Sequence, residues 1–481
     1  MSPAESTQPE FGEFEFIVVS NRLPVDRVTD DDGSTGWRRS PGGLVTALAP
    51  VMEKAEGAWV GWHGAADEQL EPFRKDGMQL VPVELSQREV EYYYEGFSNA
   101  TLWPLYHDVI APPEFHRHWW DSYRRVNERF AATAAKIASK GATVWVQDYQ
   151  LQLVPKLLRE TRPDLTIGFF NHIPFPPVEI FAQLPWRRQV LEGLLGADLV
   201  GFQRTGDTSN FLRCVRRYVG HPIKAQQVDV QDKEWRTLYF SRAEAFPISI
   251  DVKRIADLAE HEDVRERARE IRRELGDPKV VVLGVDRLDY TKGIGHRLKA
   301  YGELLEDGRI RVENSSLIQV ASPSRERVEQ YRILREEVEG AVGHISGMFD
   351  TMRNTAIRYL HHSYPVEEMV ALYLAADVML VTALRDGMNL VAKEYVAART
   401  NNQGALVLSE FTGAADQLRQ AVLVNPHDID GLKEAICEAI QMDPQEANRR
   451  MKLMRKQVLQ NDVERWSADF LNALQSKEDH V

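Results

Sequence analysis

Short apolar runs rich in β-branched residues recur along this chain, each too short for a helix and each ending on polar residues, glycine or proline. The first series is FEFIVVSN (Phe14–Asn21), ATVWVQDY (Ala142–Tyr149), TIGFFNH (Thr166–His172) and ADLVGF (Ala197–Phe202). Runs that are apolar throughout, rather than alternating, suit parallel strands buried on both faces. Between them, Leu151–Glu160 and Arg187–Leu195 place apolar residues three and four apart, as helices do. A second series begins after FPISID (Phe246–Asp251): Lys279–Val285, Ser316–Ser322, Ala376–Ala383, Gly404–Glu410 and Ala421–Pro426. Helical periods at Ile294–Leu305, Arg325–Glu339, Val366–Ala375, Leu390–Thr400 and Ile429–Gln441 separate most of these runs. Strand and helix in alternation predict an α/β fold of two Rossmann-like, doubly wound domains facing each other across a cleft. The expected division is a disordered tail at 1–13, an N-terminal domain at 14–247 and a C-terminal domain at 248–460. A helical end at 461–481 is available to pack back on the N-terminal domain.

Bulk properties narrow the function classes. The 481 residues hold 59 Lys plus Arg against 72 Asp plus Glu, a net charge of −13. So acidic a chain is not expected to coat nucleic acid, whose binders present a basic face. No apolar run approaches the ~20 residues that cross a bilayer, and the N-terminus is acidic, so a cytoplasmic protein without membrane contact is expected. Two cysteines, Cys214 and Cys437, make neither a disulfide scaffold nor a four-thiolate zinc site.

Ligands of open α/β sheets bind where the strands stop, so chemistry is sought there. After Lys279–Val285 comes DRLDYTKG, with Arg287 and Lys292 on a loop, able to converge on a polyanion. The alternative is a solvated loop in which they pair with Asp286 and Asp289. After Ala376–Ala383 comes RDGMNLVAKE, where Gly387, Met388 and Asn389 turn into a helix starting at Leu390 and Val391. The unpaired amides of such a helix start suit a diphosphate, and Asp386 and Glu394 are carboxylates suited to sugar or ribose hydroxyls. Alternatively, Asp386 only caps the helix. Near the N-terminus, Arg22 ends the first strand, and Gly42-Gly43 opens a helix with room for close ligand approach. Tyr94–Pro104 is dense in aromatics, including Tyr94 and Trp103; Asp148, His172 and Arg325 each lie at a strand end. The glycine pattern Gly293-Ile294-Gly295 is an incomplete dinucleotide fingerprint, and no GxxxxGK[ST] phosphate loop is present. Nor is there an HExxH helix or a strand-end DxD pair, so the sequence requires no metal.

SNRLPV, SPGGLVTAL, FSNATLWP, FFNHIPFPPVEIF, GVDRLDYTKGI, ASPSR and LVTALRDGMNLVAKEYVAA, in that order over Ile17–Ala398, resemble the trehalose-6-phosphate synthase family of retaining glycosyltransferases with the GT-B fold. That resemblance implies transfer of glucose from UDP-glucose or ADP-glucose to glucose 6-phosphate, forming α,α-trehalose 6-phosphate, with no cofactor beyond these substrates. It implies that Arg287 and Lys292 hold the donor diphosphate, Asp386 the donor glucose and Glu394 the ribose. Gly42, Gly43, Gly387, Met388, Asn389, Leu390 and Val391 would complete the donor site, with Tyr364 near the base. Arg22, Tyr94, Trp103, Asp148 and Arg325 would hold the acceptor, with His172 beside the reacting sugars. A homo-oligomer, dimer or tetramer, is expected. Departures from the pattern are Gln147 and Gln150 around Asp148, His63, and Pro247-Ile248-Ser249-Ile250 at the hinge. Three alternatives remain: a non-catalytic sugar-phosphate sensor, a transferase making sucrose phosphate or glucosylglycerol phosphate, and an NAD-linked oxidoreductase.

Overall fold

The computed structural model describes residues 13–29, 35–40, 45, 48, 51–52 and 55–476. The expected tail at 1–13 therefore lies almost wholly outside the described residues, as do Gly42 and Gly43.

The N-terminal half builds a ten-stranded sheet. Its parallel centre runs in the order Thr237–Ala245, Leu199–Phe202, Thr166–Phe170, Ala138–Gln147, Phe14–Arg22, Ala58–Trp62, Met78–Pro82. Antiparallel strands finish both edges. Ile17, Val18 and Val19 are completely buried in succession, so both faces of the first strand are covered. The C-terminal half builds a six-stranded, wholly parallel sheet in the order Ile357–Leu360, Ser315–Ser322, Val280–Arg287, Val378–Val381, Ala405–Ser409, Val422–Val424. In each sheet the winding reverses beside the first strand of its series. These two switch points, Phe14–Arg22 against Ala138–Gln147 and Val280–Arg287 against Val378–Val381, are where a doubly wound sheet opens a crevice for ligands.

Several elements differ from expectation. The stretch after the strand Ser315–Ser322 is irregular, so the helix expected from Arg325 starts at Glu329 and runs on to Phe349. The aromatic segment is one wide-wound helix, Val90–Leu102, led in by a capping box between Ser86 and Glu89 and followed by the short helix Trp103–Tyr106. A long helix, Arg117–Ile137, and the strands Ala58–Trp62, Met78–Pro82 and Thr237–Ala245 are additional to those read from periodicity.

The C-terminal end is two helices, Pro444–Gln460 and Val463–Gln475, broken where Asp462 caps the second through the Arg465 N–H. The second helix lies on the N-terminal sheet. Phe470 stacks on Trp145 at 4.5 Å, and the Trp466 indole N–H donates to the Phe246 carbonyl at 3.1 Å. The first crossing between halves is pinned at Ile248, whose N–H donates to Gln203 and whose carbonyl accepts from Lys393 Nζ at 2.6 Å. Among the described residues no helix is long and apolar enough to cross a membrane.

Candidate active site

At the C-terminal switch point the strand Val280–Arg287 ends in a loop whose carboxylates are already committed. Asp286 pairs with buried Arg297 at 2.8 Å, and Asp289 pairs with Arg325 at 3.1 Å. Neither carboxylate forms an ion pair with Arg287 or Lys292 among the described residues, so the pairing named in the solvated-loop alternative is not found. Lys292 Nζ instead reaches Asp386 at 2.6 Å, across the switch point, with both side chains largely buried. Arg287 is exposed, has no carboxylate partner among the described residues, and stands 5.4 Å over the Trp103 ring.

Gly293 turns this loop with φ +62°, packed so closely on the Thr382 carbonyl that a side chain has no room. On the opposite strand end, Asn389 rather than Asp386 caps the helix Leu390–Ala398: its side chain accepts from Ala392 N–H, and its amide donates to Asp386 at 3.2 Å. Asp386 is therefore aimed at the cleft side of the turn, with Lys292 as its cation. Gly387 is pressed onto the backbone carbonyl of His172 from the other domain, leaving no space for a Cβ.

The N-terminal switch point supplies the facing wall. Asp148, with φ 74°, accepts from the N–H groups of Tyr149 (3.0 Å) and His172 (3.1 Å). Gln147, the departure next to it, meets His172 Nε2 at 2.9 Å through its amide oxygen, which places the imidazole proton on Nε2. Arg325 lies flat on Trp103, its guanidinium carbon 3.7 Å from the ring centre, and also donates to Asp289, Tyr331 and the Tyr149 hydroxyl. Arg22 sits over Trp62 at 5.1 Å and pairs with Asp26, while Tyr94 meets the same Trp62 edge-on at 6.0 Å. Tyr94 and Arg325 both line a cavity of about 230 Å³ between the domains.

Burial sets the protonation of this wall. Asp148 is pushed up to about 6 by desolvation, against the two N–H bonds it accepts. His172 is driven down to about 3 by burial, so it is neutral at physiological pH. Burial alone would raise Asp289 and Asp386, but Arg325 overcomes it for the first, to about 2, and Lys292 for the second. Glu394 is raised by burial and accepts the Tyr373 hydroxyl at 2.7 Å. Asp386 is thus a charged carboxylate with a cation at hand, as a hydroxyl acceptor next to a polyanion must be.

The structure brings together Arg287, Lys292, Arg325, Asp386, Gly387 and Asn389 from the C-terminal domain with Trp103, Asp148 and His172 from the N-terminal one. Met388 is buried under the turn, and Leu390 and Val391 start the helix at the cleft. Tyr364 stands apart beside His362 at 6.1 Å, and no contact among the described residues joins it to Arg287 or Lys292. Sequence reading missed Arg385, which reaches Asp108 at 3.2 Å and Asp207 at 3.6 Å across the cleft, and His107, one helical turn after Trp103. The four-residue spacing from Trp103 was the available signal for His107; nothing local marks Arg385. No group of three or more His, Cys, Asp or Glu side chains among the described residues is placed to hold a metal ion.

Two doubly wound domains, with a cationic loop and a helix-start turn of one facing a carboxylate and aromatic wall of the other, define a GT-B glycosyltransferase. Residues 14–476 match glycosyltransferase family 20, and the chain belongs to that family. It is 56% identical over 480 residues to a trehalose-6-phosphate synthase of Mycolicibacterium smegmatis, covering 98% of this chain and 95% of the relative. Its fold is similar to that of a UDP-forming α,α-trehalose-phosphate synthase from Burkholderia xenovorans, with TM-score 0.87, 33% identity, and 96% and 99% of the two chains covered. A similar match, TM-score 0.86 at 33% identity over 96% of this chain and 99% of the other, is to the Escherichia coli protein bound with UDP-2-fluoro glucose.

Proposed function

We propose that this chain transfers glucose from a nucleotide-glucose, UDP-glucose or ADP-glucose, to the anomeric hydroxyl of glucose 6-phosphate with retention, forming α,α-trehalose 6-phosphate. The observation that carries the reading is the meeting of Arg287, Arg325 and the Lys292–Asp386 pair with Trp103 and Asp148 across one cleft. In this reading Arg287, Lys292 and the amides at Leu390 and Val391 hold the donor diphosphate. Asp386 takes the donor glucose, Glu394 the ribose, and Gly42-Gly43 the near side of the donor. Arg22 and Arg325 grip the acceptor phosphate, while Tyr94, Trp103 and Asp148 hold its ring. Domain 14–247 supplies most of the acceptor site and domain 248–460 most of the donor site, with Arg325 reaching the acceptor from the latter and Gly42-Gly43 the donor from the former.

As the donor C1–O bond breaks, the sugar gains oxocarbenium character and the departing diphosphate gains negative charge. Fixed cations stabilise that charge without reorganising, each worth about 3–4 kcal/mol of barrier by analogy with single fixed donors in other enzymes. The acceptor oxygen attacks C1 from the face the diphosphate leaves, and its proton passes to a departing phosphate oxygen. His172, neutral and held by Gln147, lines this space and supplies no charge of its own. The nucleotide-glucose is a substrate, and no resident cofactor is assigned; the enzyme is taken as a cytoplasmic homo-oligomer, dimer or tetramer. Incubation with glucose 6-phosphate and each nucleotide-glucose, with chromatography of the product, tests the reading. Trehalose 6-phosphate and nucleoside diphosphate in equal amounts are expected; release with no donor refutes it.

A further inference from the structure

His107 closes the short helix Trp103–Tyr106 and is almost completely buried. Its ring packs against Trp103 at a 34° tilt with centres 4.2 Å apart, and its Nδ1 lies 2.7 Å from the Trp103 carbonyl. A carbonyl only accepts, so Nδ1 carries the proton and Nε2 is a bare acceptor. No hydrogen bond to that Nε2 is found among the described residues, and the Trp103 indole N–H is buried without a partner. The two packed rings thus offer one unmet donor and one unmet acceptor, the complement of a hydroxyl group.

The position faces the donor side of the cleft. Asp108, the next residue, pairs with Arg385, which precedes Asp386. The charges of Asp289, Asp386 and Lys292 all act on the His107 ring. Burial takes the imidazole down to about 4, against the bond to the Trp103 carbonyl, so Nε2 stays unprotonated at physiological pH.

We propose that His107 is a donor-hexose contact: its Nε2 accepts a hydrogen bond from one hydroxyl of the donor glucose, at the corner where Trp103, Lys292 and Asp386 meet. This rests on the glucosyl-transfer reading, in which Asp386 holds the donor glucose. A neutral acceptor there adds specificity for a hydroxyl without adding charge next to the diphosphate.

Two substitutions separate contact from scaffolding. His107→Asn places an amide N–H where Nδ1 was and keeps the tie to the Trp103 carbonyl, but presents nothing to the hexose. His107→Gln reaches to the place of Nε2 with an accepting oxygen. With whichever of UDP-glucose and ADP-glucose the wild type turns over, His107→Asn is expected to lower donor kcat/KM about tenfold, the size of one neutral hydrogen bond. The KM for glucose 6-phosphate should stay unchanged, and His107→Gln should recover most of the loss. Against monodeoxy versions of the donor glucose, one donor should show no difference between wild type and His107→Asn. Full activity in His107→Asn, no advantage of Gln over Asn, or an equal penalty on every donor would overturn the assignment.

Should the variants not fold, ¹⁵N-histidine NMR of the wild type decides. The bare nitrogen of the buried, Nδ1-protonated histidine should shift when nucleotide-glucose is added and not with nucleoside diphosphate alone; no difference between the two overturns it. A wild type that releases no diphosphate from either donor brings down the glucosyl-transfer reading itself, whereas turnover with the wrong variant pattern brings down only His107.

Discussion

Lys292→Ala separates the two tasks assigned to one ammonium group. In the unliganded site Lys292 Nζ is 2.6 Å from Asp386, with the two side chains 12% and 14% exposed. Two charges at ~4 Å attract by about 4 kcal/mol at an effective dielectric constant near 20, an upper bound before desolvation is subtracted. Breaking a fully buried pair typically costs ~3–5 kcal/mol, because the remaining charge is stranded. The residual exposure here reduces that, so a stability loss of about 2 kcal/mol is expected. The kinetic term is separate: losing one preorganised charge at a leaving group costs about 3–4 kcal/mol of barrier, or 10²–10³ in kcat.

The assay is nucleoside diphosphate release at saturating glucose 6-phosphate, alongside thermal unfolding. Lys292→Ala should lower both the rate and the unfolding midpoint. Adding Asp386→Asn removes the stranded carboxylate and should restore the midpoint, but not the rate. A single variant within about threefold of wild-type kcat, or a double variant whose rate recovers with its midpoint, would refute a leaving-group role.

Asp148 titrates near 6 when folded and near 3.8 in a free chain, because burial penalises its charged form. As a carboxylate it is fully available to an acceptor hydroxyl only above pH 6, so the KM for glucose 6-phosphate should rise as pH falls through 6, and Asp148→Asn should flatten that profile. The stability sign is opposite: the folded state holds the extra proton between pH 4 and 6, so Asp148 weakens the fold progressively over that window, and Asp148→Asn should gain midpoint above pH 6 and nothing below pH 4. Arg325→Ala leaves Asp289 buried without its cation, so a stability loss of ~3–5 kcal/mol should accompany the raised acceptor KM, seen by denaturant titration. Gly387→Ala puts a Cβ against the His172 carbonyl; the domains should part, lowering kcat and enlarging the radius of gyration in X-ray scattering, while an unchanged scattering curve would show that the contact is slack.

The parallel strands were legible because burial on both faces writes an unbroken apolar run, as in Ile17–Val19 and Val281–Leu283. Strands such as Thr237–Ala245 were not, since only Ser241 and Ala243 of it are buried while Thr237 and Leu238 are exposed, which erases the run. Arg287, Lys292 and Asp386 were legible by position, at strand ends beside a helix start. Their pairing was not, because Lys292 takes a carboxylate 94 residues away and ignores those beside it. Charge spacing along a loop carries no information about a partner on the neighbouring strand. The same holds for Gln147: only the fold shows that it orients His172, 25 residues on.

The seam between the domains is held unequally, and this bears on how a water-sensitive transfer is arranged. At the mouth it is spanned by ion pairs with at least one exposed member: Arg204 with Asp416, Arg327 with Glu95, and Arg385 with Asp108. Pairs of that kind are each worth about 0–1 kcal/mol and are screened by salt. At the crossover, by contrast, Trp466 and Phe470 are buried against Trp145 and Phe170, and Lys393 holds the Ile248 carbonyl from inside. Burying one large aromatic contributes roughly 1.5–3 kcal/mol, and leaving the buried Lys393 amine without its acceptor costs about 1–3 kcal/mol more. Separation at the mouth is therefore several-fold cheaper than separation at the crossover. Pro247, with its fixed φ, stiffens the crossover further. Substrates of opposite domains then meet where the seam is weakest, and contacts made through both of them, to Arg287 and Lys292 on one side and Arg22 and Asp148 on the other, add to the few kcal/mol that hold the mouth shut.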